Sequence, residues 1–285
     1  MKKKKLLCII LFLLIVLIVV IVVQSKREKS GAPHGTIESD FVEESTEISI
    51  QIAEARPMIH SSIKNLKVGD VVAKSQLDLS NLNHFFVSSS ITEGDEIFMR
   101  INGKSYQTNE DISLDNLRYI KVLHYNYQGE IQVGEMIVNE YIAQDCVDIF
   151  KALFEAEYQI HQMVLIDEFW TGDGEETDGV SIKNNNTSSF NYRNVPGSKK
   201  RSNHALGLAI DINPYENPYI PTSGGISDYS ALDEKEYYYA TNRNNRDPHV
   251  ITHEDLAYKL FKAYGFTWGG DWNSLKDYQH FEKSL

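Results

Sequence analysis

The stretch from Leu117 to Glu157 limits the fold more than any other. Leu117 to Tyr127 alternates, placing Tyr119, Lys121, Leu123, Tyr125 and Tyr127 on one face of an extended chain. Gln128-Gly129-Glu130 is a turn, and Ile131 to Val138 is a second strand-like run, so a two-stranded antiparallel hairpin is expected. Asn139 then stands where an N-cap belongs. Ile142, Cys146, Ile149, Phe150 and Leu153 follow at helical spacing, which predicts an amphipathic helix over 140–157. Cys146 in that helix is expected as a small core residue. The other cysteine, Cys8, lies far away in an apolar run, so no intrachain disulfide and no two-cysteine metal site is expected.

The flanking segments read less sharply. Residues 61–115 read as a small β-rich lead-in: Phe85–Ser90 and Glu96–Ile101 are strand-like, with a turn at Thr92-Glu93-Gly94-Asp95 between them and a hairpin dipeptide at Asn102-Gly103. His60, His84 and His124 are expected to be structural or solvent-facing. Ile160 to Phe169 is a further strand expectation. Thr171 to Gly179 reads as an acidic, Gly-rich solvated loop. It is not an EF-hand, because its twelfth position is Asn184 rather than Glu. Asn184 to Arg193 is polar and turn-rich, and its Phe190 and Tyr192 should pack it back on the domain. A helix capped at Thr252 is expected to run through Leu256, Leu260 and Phe261 to Gly265.

The 285 residues are 42% hydrophobic and 24% charged, a globular composition. The net charge of −12 is uneven: residues 1–29 carry +6, which leaves −18 on the rest. An acidic body of this kind argues against nucleic acid as a partner, because phosphates would be repelled. Lys2 to Lys5 precede an unbroken apolar run, Leu6 to Val23. As a helix that run reaches about 27 Å, enough for the hydrocarbon layer, and the lysines place its start in the cytoplasm. The run is long and Val22 to Arg27 offers no small-residue cleavage site, so an uncleaved signal anchor is expected. The expected organisation is therefore 1–24 cytoplasmic lysine cluster and anchor, 25–60 flexible acidic tether, 61–115 lead-in, and 116–285 a chemically active domain outside the membrane.

The chemistry gathers in Ser202 to Asn213, where His204 and Asp211 stand seven positions apart with only small or apolar residues between them. Leu208 to Ile212 is strand-like, so Asp211 shares a face with Ala209 and Gly207, whose size leaves room for a metal and a substrate. Alone, this loose spacing is better read as a loop histidine and a strand-end aspartate that caps a turn. A second stretch, Trp268-Gly269-Gly270-Asp271-Trp272 and then Asp277 to Glu282, completes it. His204, Asp211 and His280 make a three-ligand zinc set with one position open. Asp277, three residues before His280, suits proton transfer rather than ligation, since a fourth ligand would close that position. Arg193 is the candidate partner for an oxyanion, although a plain surface role explains it as well. His249 and His253 are rival ligands, with His253 better read as a helix-start residue. The aromatic segments Pro214 to Pro221 and Tyr237 to Tyr239 either line a groove or pack in the core.

The pattern Ser202-x-His204-x-x-Gly207-x-Ala209-x-Asp211, followed by Asp277-x-x-His280, resembles the zinc D-alanyl-D-alanine carboxypeptidase family. That family includes the vancomycin-resistance D,D-peptidases and phage L-alanyl-D-glutamate endolysins. The resemblance covers about 84–285 and is strongest over Ser188–Pro218 and Gly265–Glu282. It implies an α+β fold with a central antiparallel sheet and flanking helices, shared with the hedgehog signalling domain. It also implies one zinc ion on His204, Asp211 and His280, with Asp277 as general base and acid. Arg193 would stabilise the tetrahedral intermediate, and Ser202 and Trp268 would orient the site or the substrate. The Asp-x-x-His ending, with Tyr278 inside it, departs from the commoner family endings and matches the endolysin-like branch. The implied activity is hydrolysis of peptidoglycan stem peptides as a D-alanyl-D-alanine carboxypeptidase. The alternatives are an L-alanyl-D-glutamate type endopeptidase and a catalytically inert zinc-containing wall-binding module. Retention of both Asp277 and Arg193 counts against the last. The expected partners are the stem peptide and, through the N-terminal helix, the membrane.

Overall fold

The computed structural model describes residues 58–285 other than Gly224 and Asn245. Four strands, β1 (Val71–Val72), β2 (Val87–Ser90), β3 (Leu117–Tyr125) and β4 (Ile131–Asn139), form an antiparallel sheet in the order β1-β4-β3-β2. β3 and β4 are the expected hairpin, in register from Leu117 opposite Asn139 to Tyr125 opposite Ile131. The two short edge strands come from the expected lead-in and so belong to the same sheet. The expected anchor and most of the tether lie outside the described residues. Among the described residues, no helix is long and apolar enough to cross a membrane.

Local chemistry overrides composition at the first helix, α1 (Glu96–Ile101), where a strand is expected. The Asp95 side chain accepts a hydrogen bond from the Phe98 amide at 2.7 Å, an N-cap that starts a helix whatever its apolar content. Arg100 on α1 then pairs with Glu135 of β4, a wholly buried carboxylate that also accepts from the Tyr119 hydroxyl at 2.7 Å. Asn139 caps α2 (Glu140–Glu155) by accepting from the Tyr141 amide at 3.0 Å. The expected apolar face of α2 is the core: Ile142, Cys146, Ile149, Phe150 and Leu153 are all buried. Each fully buried side chain of this size stabilises the fold by roughly 1.5–3 kcal/mol.

Two further expectations change. Residues 160–169 form no strand. At Val164 the backbone is satisfied instead by the Asn186 side chain, which accepts from the Val164 amide and donates to the Val164 carbonyl, both at 3.0 Å. The segment ends in a 3-10 turn at Ile166–Phe169. The acidic loop is a helix, α3 (Gly174–Lys183), because Asp173 accepts from the amides of Glu175 and Glu176. Seven short strands follow: β5 (Ala209–Asp211), β6 (Tyr219–Ile220), β7 (Thr222–Ser223), β8 (Ile226–Ser227), β9 (Thr267–Trp268), β10 (Lys276–Asp277) and β11 (His280–Glu282). They make a three-stranded sheet, β5-β11-β9, and two pairs, β10-β6 and β7-β8. Helices α4 (Glu234–Thr241) and α5 (Leu256–Ala263) complete the chain. The cap of α5 is Asp255, not Thr252, which leaves His253 outside the helix. Phe261 of α5 is edge-on to Phe150 of α2 and stacks at 4.5 Å on Phe281 of β11. The strand that carries His280 is thereby tied to the main core. The architecture is α+β with antiparallel sheets, as expected.

Candidate metal centre

Three short segments carry the proposed ligands. The Ser202 hydroxyl accepts from the His204 amide at 3.2 Å and caps a single 3-10 turn, Asn203–Leu206. Ser202 therefore shapes the turn that presents His204. That turn ends at Gly207, with φ of 64°. A side chain there would begin 2.6 Å from the Asn139 nitrogen, and the Gly207 carbonyl accepts from that amide at 2.7 Å. Gly207 is small so that the turn can dock on the end of β4, not to make room for a metal. The other two ligands face each other across a ladder, because β5 and β11 pair with Asp211 opposite His280.

The donor atoms converge. His204 Nε2 lies 3.2 Å from His280 Nδ1 and 3.2 Å from Asp211 Oδ2. His280 Nδ1 lies 3.1 Å from Asp211 Oδ1. An ion with tetrahedral bonds of 2.0–2.1 Å sets its donors about 3.3 Å apart, so this triangle is close to the size one zinc ion requires. The outer nitrogens fit as well. His204 Nδ1 donates to the Ser189 carbonyl at 2.7 Å, which leaves Nε2 with its lone pair pointing inward. His280 Nε2 donates to Glu282 at 3.0 Å, and Asn203 donates to the same carboxylate at 2.6 Å. All three ligands are buried, and among the described residues no other cluster of His, Cys, Asp or Glu has this geometry.

Electrostatics point the same way. Burial alone would raise Asp211, but His204 and His280 hold it far below the ordinary carboxylate range. Burial would lower His280, yet hydrogen bonds to Asp211 and Glu282 push it up to about 10. The hydrogen bond from His280 in turn lowers Glu282. Asp277 sits beside it at the end of β10. Burial pushes its carboxyl up to about 7, against the opposing pull of His280. Its Oδ1 is buried and has no hydrogen-bond partner among the described residues. Its position depends on Gly269, where a Cβ would stand 2.8 Å from the Asp277 Cβ and closer still to its carbonyl oxygen.

A cleft of 430 Å³ opens over these groups and is lined by His204, Asp211, Asp277, His280, Arg193 and Ser202. Glu175, Asp178, Lys200, Arg201, Tyr219 and Trp272 also line it. Arg193 is not a free surface cation. Its Nη2 donates to Asp178 of α3 at 2.6 Å and its Nη1 to the Asn194 carbonyl at 3.1 Å, while its buried Nε has no partner among the described residues. Trp268 is placed in the core, not on the cleft wall. It packs against Tyr258, Tyr278 and Phe281, and its Nε1 donates to the Tyr278 carbonyl at 2.8 Å. Trp272 takes the wall position instead, with its ring 5.2 Å from that of His280. The rival histidines lie elsewhere: His249 stacks on Tyr127, and His253 meets Asp271 at 2.7 Å. A larger hollow of 1190 Å³ beside Arg100 and Glu135 contains none of these ligands.

Residues 196–283 match the model of a family described as D-alanyl-D-alanine carboxypeptidase. The resemblance carried by Ser202 to Asp211 and Asp277 to His280 is thus shown for the segment that holds them, and Arg193 lies just before the matched range. The match supports a metallopeptidase related to peptidoglycan. No solved structure matches the chain.

Proposed function

We propose that the chain is a zinc-dependent D-alanyl-D-alanine carboxypeptidase acting on peptidoglycan stem peptides, held outside the cell membrane by residues 1–24. The observation that carries this reading is the inward convergence of His204 Nε2, His280 Nδ1 and the Asp211 carboxylate beside the unpartnered carboxyl of Asp277. Zinc, when bound by these three residues, supplies positive charge that polarises the scissile carbonyl and makes a water molecule more acidic. Asp277 takes the proton from the attacking water and returns it to the leaving amine. Burial raises this carboxyl and so opposes a fixed charge on it, which suits a group that must accept and return a proton. Arg193, fixed in direction by Asp178, lines the cleft and would place its positive charge near the developing oxyanion. Glu282 and the Ser189 carbonyl keep the two imidazoles turned toward the ion.

Removal of a terminal residue, rather than cleavage inside the peptide, is favoured by Lys200 at the cleft. Lys200 lines it in a body that is otherwise strongly acidic, whereas Arg201 beside it is paired with Asp111 at 2.9 Å. The lysine suits the free carboxylate that a terminal D-alanine carries and an internal bond lacks. The test incubates the full chain with zinc and purified muropeptides and follows released D-alanine and new amino termini. D-alanine release is expected, and Asp277→Ala should retain zinc while losing at least ~10²-fold in rate. New amino termini without D-alanine would replace this reading with the endopeptidase. No cleavage at full zinc occupancy would leave a binding module.

A further inference from the structure

Residues 193–202 fold into a hairpin on one side of the cleft. The Ser202 amide donates to the Arg193 carbonyl at 3.2 Å, the Val195 amide donates to the Lys200 carbonyl at 2.9 Å, and Asn194 bridges Arg201 between them. Residues 194–200 are all exposed, so no core packing holds the tip in place. Yet the hairpin is part of the cleft wall. Arg193 and Ser202 line the cleft from its base, and Val195, Pro196 and Lys200 line it from its tip. What sets the position of the tip must therefore act at the base.

A clasp of three side chains is found there. Asp111 Oδ2 accepts from the Tyr192 hydroxyl at 2.6 Å and from Arg201 Nε at 2.9 Å. The Arg201 guanidinium lies over the Tyr192 ring at 4.2 Å and donates through Nη1 to Asn194 Oδ1 at 2.9 Å. Asp111 is itself fixed, because Asn109 Oδ1 accepts from the amides of Asp111 and Ile112, both at 2.8 Å, and Ile112 is buried. An isolated ion pair this exposed contributes little. In the clasp each member touches the other two, so ordering one lowers the cost of ordering the next. Both strands of the hairpin are thereby tied, at Tyr192 and at Arg201, to one carboxylate far upstream. The clasp also sorts the cations: Arg201 is neutralised and laid on Tyr192, while Lys200 beside it meets the cleft. We propose that Asp111 is a positioning residue for substrate binding, which through Tyr192 and Arg201 holds the hairpin where Lys200 meets the terminal carboxylate of the peptide. The proposal rests on the carboxypeptidase reading above. The Arg193 side chain is held separately by Asp178 of α3, so the clasp acts on binding rather than on the chemical step.

The test uses the full zinc-loaded chain and D-alanine release from a pentapeptide. Asp111→Ala should raise KM about 10-fold and leave kcat within about 3-fold, the pattern of lost uniform binding. Lys200→Met should raise KM to a similar degree. Placed in the Asp111→Ala background it should add less than about 3-fold, because the lysine it removes is already displaced. Trypsin gives a readout that needs no catalysis: cleavage between Lys199 and Ser202 should be at least ~5-fold faster in Asp111→Ala, since the freed hairpin opens more often. An unchanged KM in Asp111→Ala overturns the proposal. So do multiplying KM effects of Asp111→Ala and Lys200→Met, which would make the two residues independent. A joint loss of kcat and zinc overturns it as well, by making the clasp a general support of the fold. If the wild-type chain releases no D-alanine, the carboxypeptidase reading fails by itself. The trypsin rates then decide the clasp: faster cutting of Asp111→Ala keeps it as the fixing of the hairpin, and equal rates remove it.

Discussion

Gly269→Ala tests the assignment of Asp277 without touching an ionisable group. Gly269 does not need a left-handed backbone, so alanine is not excluded by conformation. The obstacle is contact: the new methyl would begin 2.8 Å from the Asp277 Cβ. Carbon atoms settle at about 3.5–4.0 Å, so β10 must give way by about 1 Å. A misplacement of that size at a reacting group costs about 10²-fold in rate. Overpacking adds a stability loss of about 1–3 kcal/mol. The assay is steady-state release of D-alanine from a pentapeptide, with zinc content and melting temperature measured on the same preparation. The expected result is a kcat lower by about two orders of magnitude, with zinc largely retained because His204 and Asp211 sit on other segments. In an Asp277→Ala background the same change should cost little more, since the group it displaces is already gone. A kcat within about 2-fold of wild type at equal zinc content would refute the reasoning, because the close approach would then not position the base.

Glu282→Ala should lower zinc affinity by about 10–100-fold in a competition against a chelator, since it frees the outer nitrogen of His280. Unchanged affinity would show that Asp211 and the strand alone hold that ring. His124 gives a pH dependence away from the centre. Burial pushes it down to about 4, and neither ring nitrogen has a partner among the described residues. A depressed histidine binds fewer protons folded than unfolded. Its contribution is therefore intact above pH 6.5 and lost as pH falls through about 4, a loss of a few kcal/mol. Urea midpoints at pH 7 and pH 4 should converge in His124→Leu relative to wild type. An equal drop in both proteins would remove His124 from the acid response.

Periodicity made the hairpin and α2 legible, because one side chain in two, or in three to four, faces a core that accepts only apolar groups. It failed where a single cap decides. Asp95 turns the strand-like Ile97, Phe98 and Ile101 into a helix, and Asp173 does the same for a segment rich in glycine and glutamate. Reading that segment as a loop also hid Asp178, the residue that fixes Arg193. In the centre, the residue types of the inner ligands were distinctive in sequence. Their supports were less so: Ser189 acts through a carbonyl that every residue owns, and no side-chain pattern marks it. Glu282 was readable, since it stands two places after His280 in a strand and shares its face. Trp268 and Trp272 have the same chemistry four residues apart, and only the packing of β9 decides which one meets the cleft.

β11 does two jobs on its two faces. His280 and Glu282 serve the centre, while Phe281 between them is wholly buried against Phe261. A slip of one residue against β5 would send Phe281 toward the ligands and His280 into the core, so the apolar side alone selects the correct alignment. The seat for the ion is therefore assembled before any ion arrives. Loading and loss of metal are then expected to be local events that leave the pairing of β5 and β11 in place. Amide hydrogen exchange in β5 and β11 should stay slow in the metal-free protein.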